Sequence, residues 1–210
     1  MTVEIMSIQR GLAELKLLDK RINNAMSGAK LVGFKIGEKP VTGYKDDEEF
    51  TSLAKAKLES ITDLIKRRDA IKGAVVVANA TTPVKVGSET LTIATAIERK
   101  ESIGYVVNLL NLVRNQYTVN LVDFQRKEDA FKANLDRHLE TLYGKEGKAK
   151  GLENKEALKP FLDLNEPHFV DPLNLKKVID ELQEQVDVFK SEVDFALSEI
   201  NVKTEITVQY

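Results

Sequence analysis

Cysteine is absent from the 210 residues, which excludes disulfides, thiolate metal sites and cysteine nucleophiles. Tryptophan is absent too, and aromatics are only 6%, which suits slender helix–helix seams better than a thick core. The two histidines, His138 and His168, lie far apart and give no zinc-site spacing. No window reaches the ~18 apolar residues that a spanning helix needs. The opening Met1-Thr2-Val3-Glu4-Ile5 is neither a signal peptide nor a membrane span. Basic and acidic residues number 31 and 33, so the basic excess of a duplex-binding domain is missing. These absences lead us to expect a cytoplasmic protein with no membrane partner, no cofactor and no metal, and they disfavour nucleic acid.

What is present is helix. From Thr90 to Tyr143, apolar residues recur at Ile97, Ile103, Val106, Leu110, Val113, Tyr117, Leu121, Phe124, Phe131, Leu135 and Leu142. The gaps of three, four and seven keep them on one slowly drifting stripe. The spacing predicts a single helix on the order of 75 Å long, which cannot bury its stripe without other helices beside it. Earlier, Ile5, Ile8, Leu12, Leu15 and Ile22, with Leu18 alongside, predict a first helix from Ile5 to Ala25. A second runs from the acidic start Asp46-Asp47-Glu48-Glu49 to about Val77, with Leu58, Ile61, Leu64, Ile65, Ile71 and Val75 inward. The last is predicted from Pro172, capped by Asp171, to about Ile200. Its Leu175, Ile179, Leu182, Val186, Phe189, Val193, Ala196 and Ile200 keep the cleanest four–three seam in the chain.

Between the helices, residues 30–45 carry Gly33, Gly37, Pro40 and Gly43 and read as a connector or a weak β-excursion. Those glycines fit no phosphate-loop pattern. Pro83-Val84-Lys85-Val86 and Thr90-Leu91-Thr92-Ile93 alternate around Gly87-Ser88-Glu89 and predict a hairpin over 83–93. A hairpin alone is marginal, so the alternating C-terminal strand 203–208 is expected to join it. Residues 144–171, polar and glycine-bearing at first, read as an irregular linker or mobile loop. The expectation is a mainly α protein: one elongated domain over 1–210, an antiparallel bundle or coiled coil of four helices with a small antiparallel β-element.

Two stretches resemble a known family. One runs from Asn79-Ala80 through Val86-Gly87-Ser88-Glu89-Thr90-Leu91-Thr92-Ile93-Ala94 to Ala96-Ile97-Glu98-Arg99-Lys100. The other is Val193-Asp194-Phe195-Ala196-Leu197-Ser198-Glu199-Ile200-Asn201 followed by Thr204-Glu205-Ile206. Both are similar to an uncharacterised family of helical proteins from tailed phages and bacteria, one branch of which is labelled septicolysin. Leu12–Ile22 and Leu64–Ala70 fit the same pattern. The resemblance implies a phage or prophage origin and a helical bundle with a small β-element. It implies no activity.

Catalysis needs a nucleophile with a base, a metal cluster or carboxylates with shifted pKa values, and the chain offers no such constellation. We therefore expect no enzyme. The candidate ligand-binding residues are Asn79, Thr81 and Thr82 beside the hairpin, and Thr92, Thr95, Glu98 and Arg99 where the long helix begins. Helix-start N–H groups, threonine hydroxyls and an arginine together suit an anion. Arg67 and Arg68, in the basic run with Lys66 and Lys72, extend the set. The plainer reading has the threonines capping and pairing strands and the charges solvated. Two functions follow. One is a phage-type binding protein that sequesters a small anionic ligand, such as a host immune signalling nucleotide. The other is a structural or protein-interaction coiled-coil protein without a small ligand. In either case a free seam predicts a homo-oligomer, most simply a dimer.

Overall fold

The computed structural model describes residues 2–210, the side chains of residues 149, 150 and 155 excepted. The chain is mainly helical with a small antiparallel β-element, and it divides into two compact units. The first comprises Met1–Glu101 and Val188–Tyr210, the second Ser102–Asp187. The division falls inside two helices.

In the first unit, β1 (Val3–Ser7) leads directly into α1 (Ile8–Ser27). The predicted helix start at Ile5 is therefore too early. Ser7 is the cap: its hydroxyl accepts from the Arg10 N–H at 3.2 Å, and the residues before it are extended. After the connector, Asp46 accepts from the Glu49 N–H at 2.8 Å while Glu49 accepts from the Lys45 N–H at 2.7 Å. Those two bonds, a capping box displaced by one residue because Glu49 reaches Lys45 instead of the cap Asp46, start α2 (Asp47–Thr81). The hairpin β2 (Pro83–Val86) and β3 (Glu89–Thr92) stands where predicted, with Gly87 at φ 60 as the first residue of its two-residue turn.

The C-terminal strand β4 (Glu205–Gln209) does not join that hairpin. It pairs antiparallel with β1, Met6 opposite Ile206 and Glu4 opposite Val208. Two separate two-stranded sheets result. The β1–β4 pair survives because helices cover one face of it. Ile206 and Val208 are buried, and Ile206 converges with Ile71 and Val75 of α2 on Gly11 of α1. Gly11, rather than Leu12, is the inward residue at that turn of α1.

Arg67 of α2 locks the rim of this unit. Its guanidinium donates to Glu14 at 2.6 Å and to Glu4 at 2.9 Å, bonds the Tyr210 hydroxyl and lies 4.7 Å over the Tyr210 ring. The Glu14 hydrogen bond is the main reason its pKa rises above the ordinary arginine value.

The long helical run Ile93–Glu153 is broken at Gly144 (φ 68, ψ 174) into α3 (93–143) and α4 (145–153). Then come α5 (Lys155–Asn165) and α6 (Leu175–Lys203). Among the described residues there are six helices rather than four. Much of the expected linker over 144–171 is thus helical. Gly147 and Gly151 mark close approaches, not flexibility: a Cβ at Gly151 would stand 2.5 Å from the Tyr143 ring. Lys148 fixes the turn-back by pairing with Asp136 at 2.8 Å and Glu140 at 3.1 Å. Asn154 then caps α5, accepting from the Ala157 N–H at 3.3 Å. The last helix begins three residues later than predicted, because Asp171 accepts from the Leu175 N–H across a turn.

In the second unit the stripe of α3 faces inward as far as Leu135, Ile103 and Leu110 buried and Val106, Val113, Tyr117, Leu121, Phe124, Phe131 and Leu135 half-buried, while Leu142, expected on the same stripe, is exposed. Its rings recur every seven residues and take two phenylalanines from the returning chain. Tyr117 and Phe124 meet Phe169 at 6.0 and 5.5 Å, and Phe131 and His138 meet Phe161 at 6.1 and 4.4 Å. His138 is therefore a stacking residue.

Arg67→Ala is expected to lower stability by about 2 kcal/mol, since it leaves Glu4 and Glu14 half-buried without their partner. Arg68→Ala, whose carboxylate partners are largely exposed, should cost clearly less. Urea unfolding followed by circular dichroism compares the two.

Candidate functional site

The candidate residues fall into two places, both in the first unit. At the end of α2 the Thr82 N–H donates to the Ala78 carbonyl at 2.8 Å, and the Thr82 carbonyl accepts from the Ile93 N–H at 3.1 Å. Thr81 donates its hydroxyl to the Val77 carbonyl at 3.0 Å. Thr92 accepts from the Thr95 N–H at 3.1 Å, and the two hydroxyls share a 2.8 Å hydrogen bond. Thr92 is thus the cap of α3, and the threonines are spent on chain reversal and capping. Asn79 differs: its Oδ1 is buried and accepts no hydrogen bond, as is true of Asn201 Oδ1.

Arg99 is not a free cation. Its guanidinium forms a two-point contact with the Glu89 carboxylate, one arm at 3.1 Å, and lies 5.1 Å over the Phe189 ring. The hydrogen bond from Arg99 holds the Glu89 carboxyl below its ordinary value, against the opposing effect of burial. Glu98 lies exposed beside it on α3. Arg67 and Arg68 sit about 20 Å back along α2 from Thr81, too far to share a small ligand with the threonines at the end of that helix. Arg68 pairs with Asp19 at 2.6 Å and Asp69 at 3.3 Å. All three guanidiniums therefore already hold carboxylates, and the arrangement offers an anion no unpaired arginine among the nine candidates.

Thr81 and Thr82 do line a cavity, of about 460 Å³, but its other wall is β4, from Thr204 to Gln209. Sequence reasoning missed this groove because it gave β4 the wrong neighbour. Its signal was the small-residue run Ala70, Gly73, Ala74 and Ala78 on α2. In the second unit a cavity of about 520 Å³ is lined by Tyr117, Phe124, His168 and Phe169. Its Asp171 is committed to capping α6. His168 is exposed there, and among the described residues no three histidine, aspartate or glutamate side chains converge as a metal site. No helix among those residues is long and apolar enough to cross a membrane.

No family model, curated protein or solved structure matches this chain.

One further surface stands out. On α3, Tyr105 is 79% exposed, Leu109 46%, Leu112 53%, Val119 51% and Val122 46%. At about 100° per residue, the first four fall within about 40° of one line, on a face turned well away from the inward stripe.

The Glu89–Arg99 pair makes a pH prediction. The folded value of Glu89 lies below the unfolded one, so its stabilisation is complete above the ordinary carboxylate range and is lost as pH falls through the depressed value. Glu89→Gln should therefore melt below the native protein at neutral pH. The gap should close in acid, as thermal unfolding across a pH series will show.

Proposed function

We propose that this chain is a non-enzymatic interaction protein that associates with copies of itself through apolar surfaces. The observation that carries the reading is the second stripe of α3. Monomeric proteins seldom leave contiguous apolar patches of this kind in water. Tyr105, Leu109, Leu112 and Val119, with Gln116 completing the spacing, follow the four–three rhythm of a coiled-coil seam about 20 Å long. A second copy is the natural occupant, because the same stripe run antiparallel against itself is apolar throughout apart from Gln116. One polar residue in such a seam sets register at some cost in stability.

Capture of a small anionic ligand, such as a host immune signalling nucleotide, has less behind it. The resemblance to tailed-phage proteins is its motive, yet Arg99 would have to give up Glu89 on binding. Native mass spectrometry with a panel of cyclic and ADP-ribose-derived nucleotides is expected to give an oligomer mass without a stoichiometric shift. A shift lost in Arg99→Ala would reverse the order of the two readings.

The direct test is light scattering on the full chain. The native protein should run as an oligomer at micromolar concentration. Leu109→Glu with Leu112→Glu, both exposed in the single chain, should weaken association by at least about tenfold, or about 1.4 kcal/mol. The helical circular dichroism should be unchanged. A native protein that stays strictly monomeric at high micromolar concentration overturns the reading.

A further inference from the structure

Two exposed features of the first unit have no partner within it, and they are complementary. One is the outer edge of β4. Pairing with β1 turns the backbone groups of Thr204, Ile206, Val208 and Tyr210 toward β1, with Thr2 and Tyr210 exchanging hydrogen bonds at 2.9 and 3.2 Å. Those of Glu205, Thr207 and Gln209 therefore point the other way. No backbone hydrogen bond meets them there among the described residues. Beyond the edge lies the groove of about 460 Å³, floored by Ala70, Gly73, Ala74 and Ala78 of α2. A Cβ on Gly73 would meet nothing within 4 Å. An unpaired edge above a floor of small side chains is the geometry of strand addition.

The other feature is segment 31–36 in the connector. Val32 is 87% exposed, Phe34 81% and Ile36 76%. The residues between them face the opposite way. A Cβ on Gly33 would stand 2.7 Å from Val41, and Lys35 pairs with Asp47 at 2.7 Å. The segment is thus anchored on one side and displays three large apolar side chains on the other, with the period of a strand. It cannot reach the groove of its own chain. Its anchor at Asp47 and the first groove residue, Ala70, are more than six turns of α2 apart, about 35 Å.

We propose that segment 31–36 of one copy adds to the free edge of β4 in a second copy, laying Val32, Phe34 and Ile36 over the floor of α2. Charge matches at the ends: Lys30 and Lys39 flank the segment, and Glu205 heads the edge. A lone segment also clears α2. Two β4 strands paired edge to edge would not, because each brings its own α2 into the space beneath the seam. The inference rests on the self-association reading and supplies a second contact for it.

The test uses Phe34→Ser and Gly73→Leu in the full chain, read by sedimentation and light scattering. Phe34 is exposed, so the serine touches no core. Leucine at Gly73 raises helix propensity while it fills the groove, so lost association would not be misfolding. Each variant alone should associate about tenfold or more weakly. Mixed together, they pair one intact segment with one intact groove and should restore a one-to-one complex. If both associate as the native chain does while the Leu109→Glu, Leu112→Glu variant dissociates, strand addition is overturned and self-association stands. Loss in Gly73→Leu alone would show that something other than segment 31–36 fills the groove, which overturns the assignment equally. A strictly monomeric native chain overturns both readings.

Discussion

The approach of β4 to the helix pair across Gly11 is the contact on which the first unit depends. A Cβ at that position would stand 3.1 Å from Ile206 Cδ1 and 3.4 Å from Ile71 Cγ2. Even an alanine there would need Ile206 to give way by a few tenths of an ångström. A two-stranded sheet has too little buried face to stand in water unaided. Here Met6, Ile206 and Val208 bury one face against α1 and α2, where Ile8, Leu18, Ile71 and Val75 are almost fully buried. Both ends of the chain are thereby fixed to the same helices. Arg67 can then reach Glu4, Glu14 and Tyr210 at once only because β1 and β4 are held in register.

That placement explains why the arginines serve structure. A guanidinium in a half-buried position needs its donors satisfied, and a carboxylate from a neighbouring element satisfies two of them with favourable charge. Arg67 draws on α1 and β1, Arg68 on α1, and Arg99 on the hairpin. An anion would have to displace a tethered carboxylate of high effective concentration, which is a poor starting point for capture.

The periodic elements were legible because one face of each is buried. The seam of α6 falls on buried or half-buried positions throughout and the stripe of α3 does so between Ile103 and Leu135, whereas Ile97 and Leu142 of α3 and Leu58 and Ile65 of α2 are exposed. The hairpin's alternation reads directly as Val84 and Val86 in and their neighbours out. What the sequence concealed has physical reasons. The alternation of β4 shows which face it buries, but nothing in it names the strand beside it. β1 is too short to separate from the helix that follows without recognising Ser7 as a cap. Gly147 and Gly151 carry the signature of a loop, yet they are small so that a helix can pass Tyr143. For the candidate site, Thr81, Thr82, Thr92 and Thr95 stand at helix ends, where residue types suited to an anion also occur. Capping and ion pairing need the same types, and only the neighbours Glu89, Glu14 and Asp19 distinguish the uses.

The distribution of exposed apolar residues is the remaining physical constraint. Natural edge strands are usually blunted by proline, a bulge or inward charge. β4 has no proline, its register with β1 is uninterrupted, and its only charged residue is Glu205 at one end. The outer stripe of α3 likewise places leucine and valine where a solvated helix would carry lysine and glutamate. In a chain with 30% charged residues, polar side chains were not in short supply for those positions. Leaving them apolar imposes a hydration cost on the isolated chain that burial against another copy would remove. The strand edge, with its unpaired amides, and the helix stripe, with its four–three spacing, therefore share one physical need, a partner surface, and the proposed self-association would meet it for both.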